Sequence, residues 1–227
     1  MHRPTAATSV PAAVLFDMDG TLVDTEDLWW QAAVEVAEHL GHRLTAADLP
    51  DVLGRPVEHT AAHLHRTSGT AQSTTRLAED LDQAFADRVA AQIRPRPGAL
   101  SLLAELRRAQ VPMALVSASP RRIVDLVLAE FGAEWFSVVV TADDTPRTKP
   151  APDPYLAAAE GLGVTPARCV AVEDSPVGVA SAWAAGCPVL AVPSATPIPA
   201  GPRVTVLGSL EEADLMRLGA LVAEIRS

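Results

Sequence analysis

The chain has 227 residues, of which 48% are hydrophobic and 20% are charged, as expected for a globular protein with a sizeable core. Its formal net charge of −10 disfavours nucleic acid or an anionic membrane as a partner. No apolar run approaches the roughly 20 residues of a membrane span, and the first residues lack the apolar segment of a secretory signal. Two cysteines, Cys169 and Cys187, are too few for a disulfide framework. We therefore expect a cytoplasmic protein with both thiols reduced, and a monomer because no heptad seam is visible.

The first predicted element is a buried strand at residues 14–16, which ends abruptly at Asp17-Met18-Asp19-Gly20. From residue 28 to residue 94 apolar residues recur at helical spacing, with glycines at the breaks. This segment predicts several amphipathic helices and no strand.

After residue 94, short apolar runs alternate with helical patterns. Strands are predicted at 113–116, 138–140, 169–172 and 189–192, and helices at 99–109, 121–131, 155–162 and 177–185. Such alternation indicates an α/β fold, a Rossmann-like doubly wound parallel sheet covered on both faces. The predicted domains are residues 1–27 and 95–227 for the sheet and 28–94 for an inserted α-helical domain.

Polar side chains follow the strands, and in an open parallel sheet ligands bind outside the carboxyl ends of the strands. The predicted site set is Asp17, Asp19 and Thr21 after the first strand, Ser117, Ala118 and Ser119 after the second, Lys149 after the third, and Glu173 and Asp174 after the fourth. Clustered carboxylates resist ionising together unless a cation is present, and oxygen-only ligands suit Mg²⁺. Because Mg²⁺ in proteins often also binds substrate phosphate, the pattern predicts a phosphoryl-group site.

Lysine is used once in the chain, at Lys149, against seventeen arginines. Lysine is a compact point charge, whereas arginine is a wide planar fork. The single lysine therefore marks a position where arginine would not serve, although chance survival alone would give the same count.

Taken together, these motifs resemble those of the haloacid dehalogenase superfamily of phosphotransferases. The resemblance rests on Asp17-Met18-Asp19-Gly20-Thr21, Ser117, Lys149-Pro150 and Glu173-Asp174, in that order. The insert after the first motif is similar to the helical cap of the β-phosphoglucomutase-like branch. Within that branch the chain looks most like the bacterial sugar-phosphate phosphatases that act on 2-deoxyglucose 6-phosphate or hexitol phosphates.

The resemblance implies a role for each motif residue. Asp17 would be the nucleophile that forms an aspartyl-phosphate, and Asp19 the general acid and base. Ser117 would bind a phosphoryl oxygen, and Lys149 would stabilise charge between nucleophile and phosphate. Mg²⁺ would be held by Asp17, by the backbone carbonyl of Asp19 and by Asp174, with Glu173 beside it. The partner would be a small phosphorylated metabolite.

The remaining candidate substrate contacts are less specific. Thr21, Ala118 and Ser119 lie beside the motif residues, and Ser119 would also cap a helix. In the insert, Trp29 is expected to line the substrate pocket, and Arg55 would reach a sugar hydroxyl or phosphate unless it lies on the surface.

Some polar residues are expected to have no part in the site. Asp143 and Asp144 are interpreted as a solvated loop, and the cysteines as small core residues. His59 and His63 lie four residues apart and could mimic a metal pair, but a half-exposed helix face is the preferred interpretation.

Alternative functions stay open on the sequence. A phosphosugar mutase of this branch would carry a histidine twelve residues after the nucleophile, where this chain has Trp29. A phosphonate hydrolase would need a lysine in the insert, and residues 28–94 contain none. A haloacid dehalogenase would not need Asp19 and Thr21, and a catalytically silent binding protein would not need the complete motif set.

Overall fold

The computed structural model of the chain describes residues 10–194 and 196–223. These residues form two compact units. The first comprises the described residues before Asp24, Pro95–Val124 and the described residues from Gly132 onwards; the second comprises Asp24–Arg94 and Asp125–Phe131. The predicted domain limits at residues 28 and 94 stay a prediction.

The first unit is built on a six-stranded sheet. Its strands are β1 (Ala13–Phe16), β2 (Met113–Val116), β3 (Val138–Val140), β4 (Cys169–Glu173), β5 (Val189–Ala191) and β6 (Val204–Val206). Their order is β3-β2-β1-β4-β5-β6, and every neighbouring pair is parallel. This confirms the predicted doubly wound α/β fold, whereas β6 was not predicted.

The described helices are α1 (Glu26–His39), α2 (Leu49–Val52), α3 (Val57–Ser68), α4 (Thr74–Gln92), α5 (Ala99–Arg108), α6 (Arg121–Phe131), α7 (Asp153–Gly161), α8 (Pro176–Ala184) and α9 (Leu215–Ala223). The predicted interruptions coincide with Gly41, Gly54 and Gly69, all of which have positive φ and lie between helices. No helix among the described residues is long and apolar enough to span a membrane.

The register of the central strands aligns their carboxyl ends. Phe16 at the end of β1 is paired with Leu115 of β2 and with Val172 of β4. The backbone N–H of Asp17 then donates to the carbonyl of Val172 at 2.9 Å. The order of strands also reverses direction between β1 and β4, which is where open α/β sheets bind ligands.

The core of the first unit lies against one face of this sheet. Fully buried residues of β1, β2, β4 and β5 pack with Tyr155, Ala158 and Ala159 of α7 and with Ala182 of α8. Small alanines on these helices allow close approach to the strands. Cys169 and Cys187 belong to this cluster, as predicted, and burial raises the pKa of Cys187 to about 12.

The loop residues Asp143 and Asp144 are exposed, as expected for a solvated loop, and both also make structural contacts that were not predicted. The Asp143 carboxylate accepts from the backbone N–H of Arg121 at 2.8 Å and so caps α6, a role that the sequence assigned to Ser119. Asp144 accepts from the Thr141 backbone at 2.7 Å and from the Arg121 guanidinium at 2.6 Å. These bonds join the loop after β3 to the start of α6.

In the second unit, two histidines of α3 pair with carboxylates of the segment before it. His59 Nε2 lies 2.9 Å from Asp51 Oδ1, and the buried His63 places Nε2 2.8 Å from Asp48 Oδ1. Asp48 also accepts from the backbone N–H of Thr45 in a capping box. The two histidines therefore join neighbouring segments of the unit through side-chain hydrogen bonds.

We predict that Asp48→Asn lowers the free energy of unfolding by about 1 kcal/mol at neutral pH. The Thr45 backbone donor and the His63 ring hold the pKa of Asp48 below its ordinary value of 3.8. A depressed folded pKa contributes stability above the unfolded value, and this stability is lost as pH falls through the folded pKa. Urea unfolding at pH 7 and below pH 3 should show the difference only at pH 7. Glu38→Gln, an exposed control on α1, should change little, and an equal loss at both pH values would contradict the assignment.

Candidate active site

The side chain of Asp17 lies at the carboxyl end of β1 and is almost fully buried. Its Oδ2 accepts from the Thr21 hydroxyl at 2.8 Å, and its Oδ1 accepts from Lys149 Nζ at 2.6 Å. Burial raises the pKa of Asp17 well above its ordinary value; the Lys149 charge opposes this, and the neighbouring acids Glu173, Asp174 and Asp19 add to it. The carboxylate is thus held in place within an excess of negative charge.

The single lysine of the chain lies among these acids. The Lys149 side chain is 4% exposed, and its ammonium donates to Asp17, to Glu173 Oε1 at 2.7 Å and to the Val116 carbonyl at 2.9 Å. Burial by itself lowers the pKa of Lys149, but the Asp17 and Glu173 carboxylates raise it by more, so the ammonium stays charged. Three acceptors around one compact ammonium leave no place for the wider guanidinium of arginine.

Glu173, the last residue of β4, is fully buried and accepts from four donors. Its Oε1 accepts from Lys149 and from the Tyr155 hydroxyl at 2.6 Å. Its Oε2 accepts from the backbone N–H of Asp174 at 3.2 Å and from the Ser175 hydroxyl at 3.3 Å. A buried carboxylate with this many donors is fixed in orientation.

Asp19 is oriented from the next strand along the sheet. Its Oδ2 accepts from the hydroxyls of Ser117, at 3.0 Å, and Ser119, at 2.9 Å, both of which follow β2. The Ser117 oxygen in turn accepts from the Ser119 backbone N–H at 3.0 Å. The two serines therefore hold one oxygen of Asp19 at the mouth of the site.

Asp174 completes the acidic cluster. Its Oδ2 accepts from the Ser194 hydroxyl, and the Ser194 backbone N–H donates to its carbonyl. Gly20, with φ +82°, lies so close that a Cβ would sit 2.1 Å from this Oδ2. Glycine is required there both for the left-handed backbone and for the approach of the carboxylate.

The donor set fits a hard divalent cation. Asp17, Glu173 and Asp174 are all buried and present carboxylate oxygens within 4.8 Å of one another, the only such group of three or more acids, histidines or cysteines in the described chain. Three carboxylates against one ammonium leave surplus negative charge, which a cation bound by oxygens would offset.

The structure brings together Asp17, Asp19, Thr21, Ser117, Ser119, Lys149, Glu173 and Asp174, all predicted from the sequence. Ala118 lies between the two serines and is exposed. The predicted functions of these residues, including the contacts of Thr21, Ser117, Ala118 and Ser119 with substrate, stay predictions.

Trp29 and Arg55 belong to the second unit and have partners there. The Trp29 indole N–H donates to the Val52 carbonyl at 2.9 Å, and its ring meets Phe85 edge-on at 5.4 Å. The Arg55 guanidinium donates to the Pro50 carbonyl at 2.9 Å and is exposed. Their contact with substrate stays a prediction from the sequence.

Three residues that contact the motif residues were missed: Ser194, which bonds to Asp174, and two that contact Glu173. Tyr155 donates to Glu173, and Gly178 lies directly behind the Glu173 carboxylate. Tyr155 is the only tyrosine of the chain and comes six residues after Lys149, which is the one signal that could have indicated it. Nothing in the sequence distinguishes Gly178 from other helical glycines.

Parallel strands that place a paired aspartate motif and a lysine at one edge define a hydrolase of the haloacid dehalogenase type. A sequence model of the family described as haloacid dehalogenase-like hydrolase matches residues 14–192. The chain belongs to this family, which confirms the resemblance inferred from its motifs.

The chain is similar to several known proteins whose names refer to sugar or polyol phosphates. Hexitol phosphatase A of Escherichia coli is 35% identical over 203 residues, which are 87% of this chain and 91% of that protein. The crystal structure of CbbY from Rhodobacter sphaeroides in complex with phosphate is 29% identical, with a TM-score of 0.76 over 89% of this chain and 96% of that one. A putative β-phosphoglucomutase from Thermotoga maritima is 26% identical, with a TM-score of 0.78 over 94% and 98% of the two chains.

The close packing behind Glu173 gives a test of the site's rigidity. We predict that Gly178→Ala lowers the free energy of unfolding by about 1–3 kcal/mol, because the new Cβ would lie 1.9 Å from both carboxylate oxygens. The sign is opposite to the usual gain for alanine over glycine within a helix. Chemical denaturation of Gly178→Ala and wild type measures this difference in the free energy of unfolding. Gly201→Ala, which meets open space, is the control, and equal stability of the two variants would contradict the geometry.

Proposed function

We propose that the protein is a Mg²⁺-dependent phosphatase that hydrolyses a small phosphorylated metabolite, a sugar or polyol phosphate, through an aspartyl-phosphate on Asp17. The observation that carries the proposal is the Lys149 ammonium, 2.6 Å from Asp17 Oδ1, beside an Asp19 that is oriented by two hydroxyls. This arrangement supports the proposal because the Asp17 carboxylate, the Lys149 ammonium and the Asp19 carboxyl group lie together at one sheet edge.

In the first step an Asp17 oxygen attacks phosphorus and the bond from phosphorus to the leaving oxygen breaks. The leaving oxygen takes the proton of the Asp19 carboxyl group, which releases a neutral alcohol. In the second step water attacks the phosphorus of the aspartyl-phosphate and gives a proton to the Asp19 carboxylate. The bond between phosphorus and Asp17 breaks, and both aspartates return to their starting states.

Lys149 supports both steps as a fixed point charge. Its contact with Asp17 keeps the nucleophile oriented, and its charge offsets negative charge that would otherwise repel a phosphate dianion. Because the ammonium is already desolvated and hydrogen-bonded in the folded protein, little reorganisation is needed when the substrate arrives.

The residues that would hold Mg²⁺ are Asp17 and Asp174, with the Asp19 backbone carbonyl, as the family resemblance implies. When bound, the cation supplies charge neutralisation at the phosphoryl oxygens. Glu173 is committed to Lys149, Tyr155 and two further donors, so we assign it to positioning the lysine and to the cation's surroundings.

The substrate class rests on relatives that carry sugar or polyol phosphates in their names, such as hexitol phosphatase A of Escherichia coli. A phosphosugar mutase is disfavoured by Trp29 at the position where the mutase branch has a histidine. The only polar atom of that indole already donates to the Val52 carbonyl, so the side chain offers no acid or base.

We predict release of inorganic phosphate from one or a few members of a panel of sugar, polyol and nucleotide monophosphates, with Mg²⁺ and not with chelator. Asp17→Asn should abolish release and stay folded, since it removes a surplus buried charge. Glu160→Gln, an exposed carboxylate of the same unit, should keep full activity. Phosphate release by Asp17→Asn at the wild-type rate would contradict the nucleophile assignment, and interconversion of phosphosugar isomers without release would favour the mutase.

We predict that Lys149→Arg lowers kcat by about a hundredfold or more, because the guanidinium cannot reproduce three contacts in a closed space. The matched control, Arg168→Lys, changes an exposed cation of the same unit outside the site and should leave kcat within about twofold. Initial rates on the best substrate of the panel measure both variants. Comparable kcat values for Lys149→Arg and wild type would show that the lysine acts only as a diffuse charge.

A further inference from the structure

Tyr155 is the largest side chain buried without solvent exposure, and it lies in the first turn of α7. Phenylalanine would fill the same space without a polar atom, and burying a hydroxyl has a cost unless the group is hydrogen-bonded. The Tyr155 hydroxyl meets this requirement by donating to Glu173 Oε1 at 2.6 Å. The hydroxyl of this core tyrosine therefore makes its hydrogen bond to a carboxylate of the charged site.

The oxygen that accepts from Tyr155 also accepts from Lys149, 2.7 Å away. The Lys149 ammonium lies 5.2 Å from the centroid of the Tyr155 ring, within the range of a cation–π contact. Tyr155 therefore touches both members of the Lys149–Glu173 pair, one with its hydroxyl and the other with its ring. Burial, together with the charges of Glu173 and Asp17, raises the pKa of the phenol well above its ordinary value, so the hydroxyl is a donor at neutral pH.

We propose that Tyr155 is a positioning residue that sets how the Lys149 ammonium is shared between Glu173 and the nucleophile Asp17. The ammonium contacts the two carboxylates at nearly equal distances, 2.7 Å and 2.6 Å. The phenol donor satisfies part of the hydrogen-bonding capacity of Glu173 Oε1 and so limits its attraction for the ammonium. Without that donor the ammonium moves towards Glu173 and away from Asp17.

Hydrogen bonds on the segment before Tyr155 fix the position of the tyrosine relative to Lys149. The loop from Lys149 to α7 is tied to α8, because the Ser181 hydroxyl donates to the Ala151 carbonyl at 2.6 Å. Asp153 at the start of α7 accepts from the Arg147 guanidinium at 2.9 Å. The seven residues from Lys149 to Tyr155 are thus held at two points, and the phenol keeps its place relative to the ammonium.

The test uses the fact that the chain contains one lysine. Protein labelled with ¹⁵N at the ζ position of lysine gives a single ammonium resonance, which reports on Lys149 without metal, substrate or turnover. We expect Tyr155→Phe to shift the ¹⁵N resonance while the ring-current shift of the side-chain protons is kept. Tyr155→Leu removes the ring and should change both shifts.

Kinetics on the best phosphorylated substrate give the second readout, which rests on the proposed function. Tyr155→Phe should lower kcat about tenfold, the size of one hydrogen bond to a charged group, with KM within about twofold. Tyr155→Leu should lower kcat further, and the partial rescue by phenylalanine separates ring from hydroxyl. If Tyr155→Leu fails to fold, the comparison of Tyr155→Phe with wild type carries both readouts.

Cys169→Ala is the matched control, because it removes a buried side chain at the opposite end of β4. It should lower stability without moving the lysine resonance or kcat. The proposal is overturned if Tyr155→Phe leaves the lysine resonance unchanged, or if Cys169→Ala lowers kcat as much as Tyr155→Phe does. If Tyr155→Phe shifts the lysine resonance but the wild-type protein releases no phosphate, the proposed contact is upheld and the phosphatase proposal is refuted.

Discussion

One buried ammonium shared between two carboxylates is the interaction on which the site depends. Lys149 lies between Asp17 and Glu173 with its side chain 4% exposed, and its ammonium is 2.6 Å from the first carboxylate and 2.7 Å from the second. Removing one partner of such a buried pair would leave the remaining charge uncompensated. The site contains three buried carboxylates, those of Asp17, Glu173 and Asp174, and one buried ammonium, so negative charge is in excess. Surplus negative charge of this kind is what a cation bound by carboxylate oxygens would offset.

The sheet brings these charges together. Asp17 follows β1 and Glu173 ends β4, and these two strands are neighbours at the point where the strand order reverses. Lys149 comes from the loop after β3, whose start is tied to α6 by Asp143 and Asp144. These two residues therefore fix the backbone at the start of the loop that carries the lysine.

Much of the site could be predicted because parallel strands end at one edge. Once the apolar runs at 113–116, 138–140 and 169–172 were interpreted as parallel strands, the polar residues after them had to converge. The strand β6 was missed because three residues, Val204-Thr205-Val206, half-buried at the sheet edge, give too short a pattern. The contact of Asp143 with the first N–H of α6 was not predicted because Asp143 is distant in sequence from that helix.

Residues behind the site could not be predicted for a different reason. Tyr155 and Gly178 act through contacts with Glu173 that arise from helix packing on the sheet, and no local pattern encodes such packing. The same holds for Ser194, whose bond to Asp174 joins the loop after β5 to the acidic cluster. The motif residues are visible in the sequence, whereas the residues that hold them become visible only in three dimensions.

The most direct test of the account is acid quenching of the protein during steady-state turnover of its best phosphorylated substrate, followed by peptide mass analysis. The account predicts one added phosphoryl group on the peptide that contains Asp17, which is absent from the Asp17→Asn variant and from protein quenched after the substrate is consumed. Turnover with no phosphorylated peptide under conditions that preserve acyl phosphates, or with the phosphoryl group on another residue, would contradict Asp17 as the nucleophile.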